Sequence, residues 1–242
     1  MKGKRWKDAW MLCRRDLQRY WVGLLFTFLF AAYMAVCTLP MLGANLGQEE
    51  DSVIIRCMLD FVSLIMIGNL GFVFNRRGRR YLADDSHRKH IVKLRTLPVE
   101  LKTIVLSRFM HLSLATLING TIYFSIQYVF MRDLRQLLPI GNFLVYVLAL
   151  MTFAVLIHMF YLAFEWSVSG KRYMIIVLLM MIGYLLISIG VSFTGQSLMI
   201  MLINSSNQYA LAVGVISVAV LIQTYTYSGK IMLGLLKRKD LM

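Results

Sequence analysis

Acidic side chains are scarce in this sequence, 12 Asp and Glu against 26 Lys and Arg, and charged residues of either sign make up only 16% of its 242 positions. A soluble domain carries about a quarter. Hydrophobic residues reach 59% and mean hydropathy is +0.66, so an all-α polytopic membrane protein is expected. Cysteine is short as well. Cys13, Cys37 and Cys57 are an odd number, with no CxxC and no histidine at ligand spacing, which excludes a disulfide framework and a zinc site and leaves packing as their role. Catalytic signatures are missing: there is no GxSxG, no HExxH, no paired acidic motif of an intramembrane protease and no GxxxxGK[ST] phosphate loop. The chain is therefore read as no enzyme, with no catalytic residue, no metal and no cofactor of its own. Its net charge of +14 does not point to nucleic acid, because the basic residues flank apolar runs instead of covering a folded polar domain.

What is present is a series of membrane-length runs. Six spans are expected in a single domain of residues 1–242, at 21–42, 53–74, 103–131, 139–164, 173–193 and 209–227, each near the roughly 20 residues a helix needs to cross hydrocarbon. Ahead of them, residues 1–20 set Trp6, Trp10, Cys13, Leu17 and Tyr20 on one helical face and Lys4, Lys7, Arg14, Arg15 and Arg19 on the other. This is an interfacial helix, its cations toward anionic lipid headgroups, anchored by Trp6, Trp10 and Trp21. The apolar run after it is too long for a secretory signal peptide and lacks a small-residue cleavage site. Between the fifth and sixth spans, Leu198 to Ile203 is apolar but too short to cross, and reads as a segment dipping into the outer interface or re-entering. With both termini cytoplasmic, the external loops receive only Arg132 and Arg135 of the 26 Lys and Arg, as the positive-inside rule requires.

The long polar interval, 75–102, carries Arg76, Arg77, Arg79, Arg80, Arg88, Lys89, Lys93, Arg95 and Lys102 and is placed in the cytoplasm. Ser86 to Thr96 can wind as a short helix with Ile91 and Leu94 on one side. Leu97 and Pro98 then force a restart, Pro98 suiting the first turn of a new helix and Glu100 its positive end. The interval thus reads as a short cytosolic helix held by a corner of Leu97, Pro98, Val99 and Glu100. Asp84, Asp85, His87 and His90 offer metal-ligating atoms, but Arg88 and Lys89 repel a cation, and a solvated or partner-facing loop is expected. Inside the spans, Arg56 and Asp60 are four apart on one face; they form an ion pair near the outer surface, or serve a pathway or subunit contact. Arg108 and Asn119 are further intramembrane polar residues in the third span, and His158 reads as a hydrogen-bonded packing histidine.

The amphipathic helix, six spans, a cytosolic helix between spans two and three, and the string Leu97-Pro98-Val99 followed by Ile104-Val105-Leu106-Ser107-Arg108 resemble the permease subunit of ABC type-2 transporters, a bacterial exporter class. The resemblance implies the transmembrane half of an ATP-driven exporter in a bacterial cytoplasmic membrane, both termini inside. Trp6 to Tyr20 becomes the elbow helix. Asp84, Asp85, His87, Arg88, His90, Ile91 and Leu94 become the coupling surface for an ATPase, and Leu198 to Ile203 the external re-entrant piece. ATP and Mg belong to separate ATPase subunits, and a second permease, identical or different, completes the path for a hydrophobic or amphipathic peptide, lipid-like compound or drug. One departure is local: the Lys or Arg usual soon after the LPV is displaced, Glu100 and Leu101 preceding Lys102. The alternative from another class is a non-transporting membrane scaffold or sensor that binds a cytosolic partner through 75–102.

Overall fold

The computed structural model describes residues 2–47, 52–73 and 99–238, and all regular structure among them is helical. The helices are α1 (Lys2–Arg19), α2 (Trp21–Leu46), α3 (Val53–Asn69), α4 (Leu101–Phe130), α5 (Arg132–Leu137), α6 (Ile140–Ser167), α7 (Gly170–Ser192), α8 (Leu198–Gln208) and α9 (Ala210–Arg238). Five of them, α2, α4, α6, α7 and α9, are long and apolar enough to cross a membrane. The chain is a polytopic membrane protein.

The expected span 53–74 is shorter than its apolar run. At 17 residues α3 covers about 26 Å, less than the roughly 30 Å hydrocarbon core. It stops at Asn69, and the chain turns through Leu70 and Gly71. Other boundaries move outward. The helix expected to end at 164 continues to Ser167, so Glu165 is helical and the turn to α7 is Val168 and Ser169. Arg132, Asp133 and Arg135, expected in a loop, form the short α5. The last helix runs past 227 to Arg238 because Met232 and Leu236 are fully buried, which outweighs the roughly 1 kcal/mol that Gly229 and Gly234 each cost a helix interior.

Two apolar cores hold the bundle. One gathers α2, α3, α7, α8 and the adjoining parts of α4, α5 and α6 around Leu59, Ile67, Leu70, Tyr123, Phe124 and Ile203. The other, at the opposite end, joins the start of α4 to the ends of α6 and α9 through Val105, Phe109, Trp166, Met232 and Leu236. Each core stabilises by roughly 25 cal/mol per Å² of apolar surface it withdraws from water, although inside a bilayer only packing and polar contacts distinguish helix–helix from helix–lipid association.

Helix α1 packs along α4 instead of standing alone. Its protein-facing side centres on Ala9 and Cys13, while Trp6 and Trp10 are 59% and 47% exposed. Cys13, expected on the aromatic face, thus belongs to the protein contact, and the tryptophans lie on the flank beside it.

Candidate functional site

Polar groups stand inside the bundle in several places among the described residues, and at two of them they organise a helix end. The first is Asp60, on α3 and 0% exposed. A helix leaves its first N–H groups without partners, and Ser197, in the N-cap position of α8, makes no side-chain capping bond. Asp60 supplies the cap from another helix. Its Oδ2 accepts the Leu198 N–H at 2.8 Å, and its Oδ1 accepts the Met199 N–H at 3.1 Å and the Ser197 hydroxyl at 2.6 Å. The negative charge also faces the positive end of the α8 dipole. Gly195, at φ +77°, takes the left-handed conformation that brings the chain round from α7 into this cap.

Arg56, one turn before Asp60, is 9% exposed. With Asn45, Gln196, Ser197, Asn204 and Ser205 it lines a cleft of about 650 Å³ at this end of the bundle. The spacing of Arg56 and Asp60 pointed to an ion pair along one helix. In the fold both carboxylate oxygens of Asp60 are engaged by the start of α8, so the organising contact of this residue is a cap between elements that are distant in sequence.

The second place is the broken end of α3. Non-helical backbone at membrane depth survives only where protein satisfies it. Here Asn119 of α4 donates to the Leu70 carbonyl at 2.6 Å, and the Gly71 N–H donates to Nε2 of His158 on α6 at 2.9 Å. Nδ1 of His158 lies 2.6 Å from the Ala154 carbonyl. Because Nε2 accepts, Nδ1 carries the proton and donates it there. A Cβ at position 71 would stand 2.8 Å from the His158 ring and 2.8 Å from Thr116 Oγ1, so glycine is required. Asn119 is therefore the clamp on α3, and His158, read as a hydrogen-bonded packing histidine, is its second jaw.

At the other end of α4, Glu100 is the N-cap residue and its carboxylate pairs with Arg5 of α1 at 2.8 Å. Arg108, two turns on, reaches Glu165 of α6 at 3.0 Å, with side chains 23% and 14% exposed; the guanidinium offsets an acid near the negative end of α6. Higher in α4, Gln127 and Tyr123 both donate to Thr38 Oγ1 of α2, at 3.0 and 3.3 Å. Burial beside Asp16 pushes the Cys13 thiol up to about 11, while Arg108 draws it down. Trp21, expected as an anchor with Trp6 and Trp10, is 64% exposed.

Of the remaining candidates, Val99 leads into Glu100, and Asp84, Asp85, His87, Arg88, His90, Ile91, Leu94, Leu97 and Pro98 lie outside the described residues. Among the described residues no three His, Cys, Asp or Glu side chains gather as metal ligands. Ser197 and Thr116 are site residues that sequence reasoning did not single out, and for His158 it gave a hydrogen bond without naming Gly71 as the partner. A signal for the first was there: Gly195-Gln196-Ser197 before an apolar run is a helix start, and a buried Asp needs donors. No family model matches this chain, and neither does any curated protein or any solved structure.

Proposed function

We propose that the chain is the transmembrane subunit of an ATP-driven transporter of the ABC type-2 kind, exporting a hydrophobic or amphipathic compound while separate ATPase subunits hydrolyse ATP. The observation that carries this reading is that the basic interval has both its flanks fastened to α4. Upstream, Leu70 is held by Asn119, and Gly71 by His158 on the neighbouring α6. Downstream, Glu100 is the N-cap of α4 and is tied to α1 through Arg5. A push on residues 75–98 is thus delivered to a 30-residue helix that packs on α1, α2, α6 and α9. In this reading the Glu100 end of the bundle and both termini are cytoplasmic, and the Asp60 end with its polar cleft faces out.

The test joins orientation to coupling. Cysteine at Asn204 is expected to label from outside intact cells with an impermeant reagent, and cysteine at Ser86 is not. His90→Asp with Ile91→Asp is expected to leave membrane level and monodispersity normal while recovery of the copurifying ATPase falls sharply. With the unaltered complex, a non-hydrolysable ATP analogue should change the reactivity of cysteines placed along α4. Identical reactivity with and without nucleotide in an intact complex would make the interval an anchor and the chain a scaffold.

A further inference from the structure

The cleft beside Asp60 lies between the end of α2, the start of α3 and the turn into α8. Its volume of about 650 Å³ falls in the range of small-molecule pockets. Counted from Trp21 at about 1.5 Å per residue, Asn45 stands roughly 36 Å along α2, past a hydrocarbon core about 30 Å thick. The cleft therefore opens at headgroup level. Met201, on its wall, is 45% exposed, so the polar interior adjoins a surface that an acyl chain can cover.

Charge and hydrogen-bonding capacity are divided unevenly over the walls. Of the described residues that line the cleft, Arg56 alone is charged, and its side chain is buried. A guanidinium holds more N–H donors than one neighbour takes up, and its planar fork matches the oxygens of a phosphate. The carboxylate one turn on, Asp60, is not part of the lining and gives its oxygens to Ser197, Leu198 and Met199. Ser197 spends its hydroxyl proton on Asp60, so toward the cleft that oxygen can only accept. Asn45 spends an amide N–H on the Met41 carbonyl and keeps its carbonyl oxygen. Gln196, Asn204 and Ser205 add groups that both donate and accept. One fixed cation among neutral acceptors suits an anion that brings hydrogens of its own to donate.

We propose that the cleft binds a phosphate ester carrying hydroxyl groups, the chemistry that a phosphoglycerol lipid headgroup and free glycerol phosphate share. The phosphate meets Arg56, the hydroxyls reach the acceptors of Ser197 and Asn45, and the acyl chains of a lipid leave past Met201. A phosphocholine head has the phosphate but no hydrogen to donate, and binds more weakly. The site needs only the fold of this end of the bundle and stands whether or not the chain is a transporter.

The experiment uses the full chain in phosphatidylcholine nanodiscs, with Cys13, Cys37 and Cys57 replaced and a single cysteine at Asn204, an exposed position on the cleft wall. Phosphatidylglycerol added to the discs is expected to slow alkylation of that thiol by a neutral maleimide several-fold, while a cysteine at the exposed Gln136 of α5 keeps its rate. Arg56→Gln is expected to abolish the slowing. Should that variant not fold, Gln196→Glu, which sets a carboxylate against the phosphate, is expected to do the same from an exposed position. Millimolar glycerol phosphate separates the sources: slowing by it assigns a soluble ester, and slowing by the lipid alone assigns the headgroup. Slowing by neither overturns the proposal, as does equal slowing at Gln136. So does slowing that emerges only after Glu49, Glu50 and Asp51 are neutralised together, which would give the cleft to the chain's own acids.

Discussion

Nε2 of His158 accepts the backbone N–H of Gly71 at 2.9 Å, across 87 positions of sequence. The bond, together with the one from Asn119 to Leu70, lets a membrane helix end inside the bundle without leaving its last groups bare. Neutral imidazole is part of the arrangement, because a proton on Nε2 would remove the acceptor. The joint needs three elements at once, the turn after α3, the middle of α4 and the later half of α6.

Gly71→Ala is expected to destabilise the purified protein by about 1–3 kcal/mol, as overpacking does, since the new methyl meets both the His158 ring and the Thr116 hydroxyl. His158→Leu should cost a similar amount for a different reason, the buried Gly71 N–H left without an acceptor. Thermal melting in detergent measures both. If each change moves the midpoint no more than a surface substitution on α7, the joint is not holding α3.

Asp60→Ala removes the cap from α8 and strands the Leu198 and Met199 N–H groups with the Ser197 hydroxyl. The expected loss is about 2–4 kcal/mol, with Ser197→Ala near 1 kcal/mol. Amide exchange should rise first at the start of α8. The double change Arg56→Leu with Asp60→Leu should be no milder than Asp60→Leu alone, because the helix start stays uncapped. A double change that restores full stability would return the residue to the role of a simple ion-pair partner.

Cys13 gives a pH signature. Its thiol is raised from 9.0 to about 11, first by burial and then by Asp16. A raised thiol value means that the folded state holds the proton more tightly. The associated stability is therefore full below pH 9 and is lost as pH climbs toward about 11. At pH 8 the thiolate fraction should be about 100-fold below that of an ordinary thiol, and Asp16→Asn should speed alkylation. Labelling of Cys13 at neutral pH as fast as an exposed thiol would remove the tight packing of α1 on α4.

Much of the architecture was readable because hydrocarbon imposes a length and a composition. The apolar runs that became α2, α4, α6, α7 and α9, and the short α8, stand out without any tertiary information. The end of α3 did not, since Leu70 to Phe74 continues the apolar run and the reason for stopping lies in Asn119 and His158, far along the chain. The extra turns of α9 were hidden for a related reason: burial of Met232 and Leu236 decides them, and Lys230 looks like an end. The polar residues were easier to find than to pair. Asp60, Asn119 and Arg108 were picked out as polar residues inside the spans, and spacing along one helix set Arg56 beside Asp60, but the donors from Ser197, Leu198 and Met199 lie where no spacing could show them.

That cap also bears on how the chain is made. Asp60 enters the membrane 137 residues ahead of Ser197, so during synthesis its carboxylate is carried in long before the donors that will hold it exist. The start of α8 is therefore capped by a residue inserted long before it, and a cut between α7 and α8 would separate that helix start from its cap.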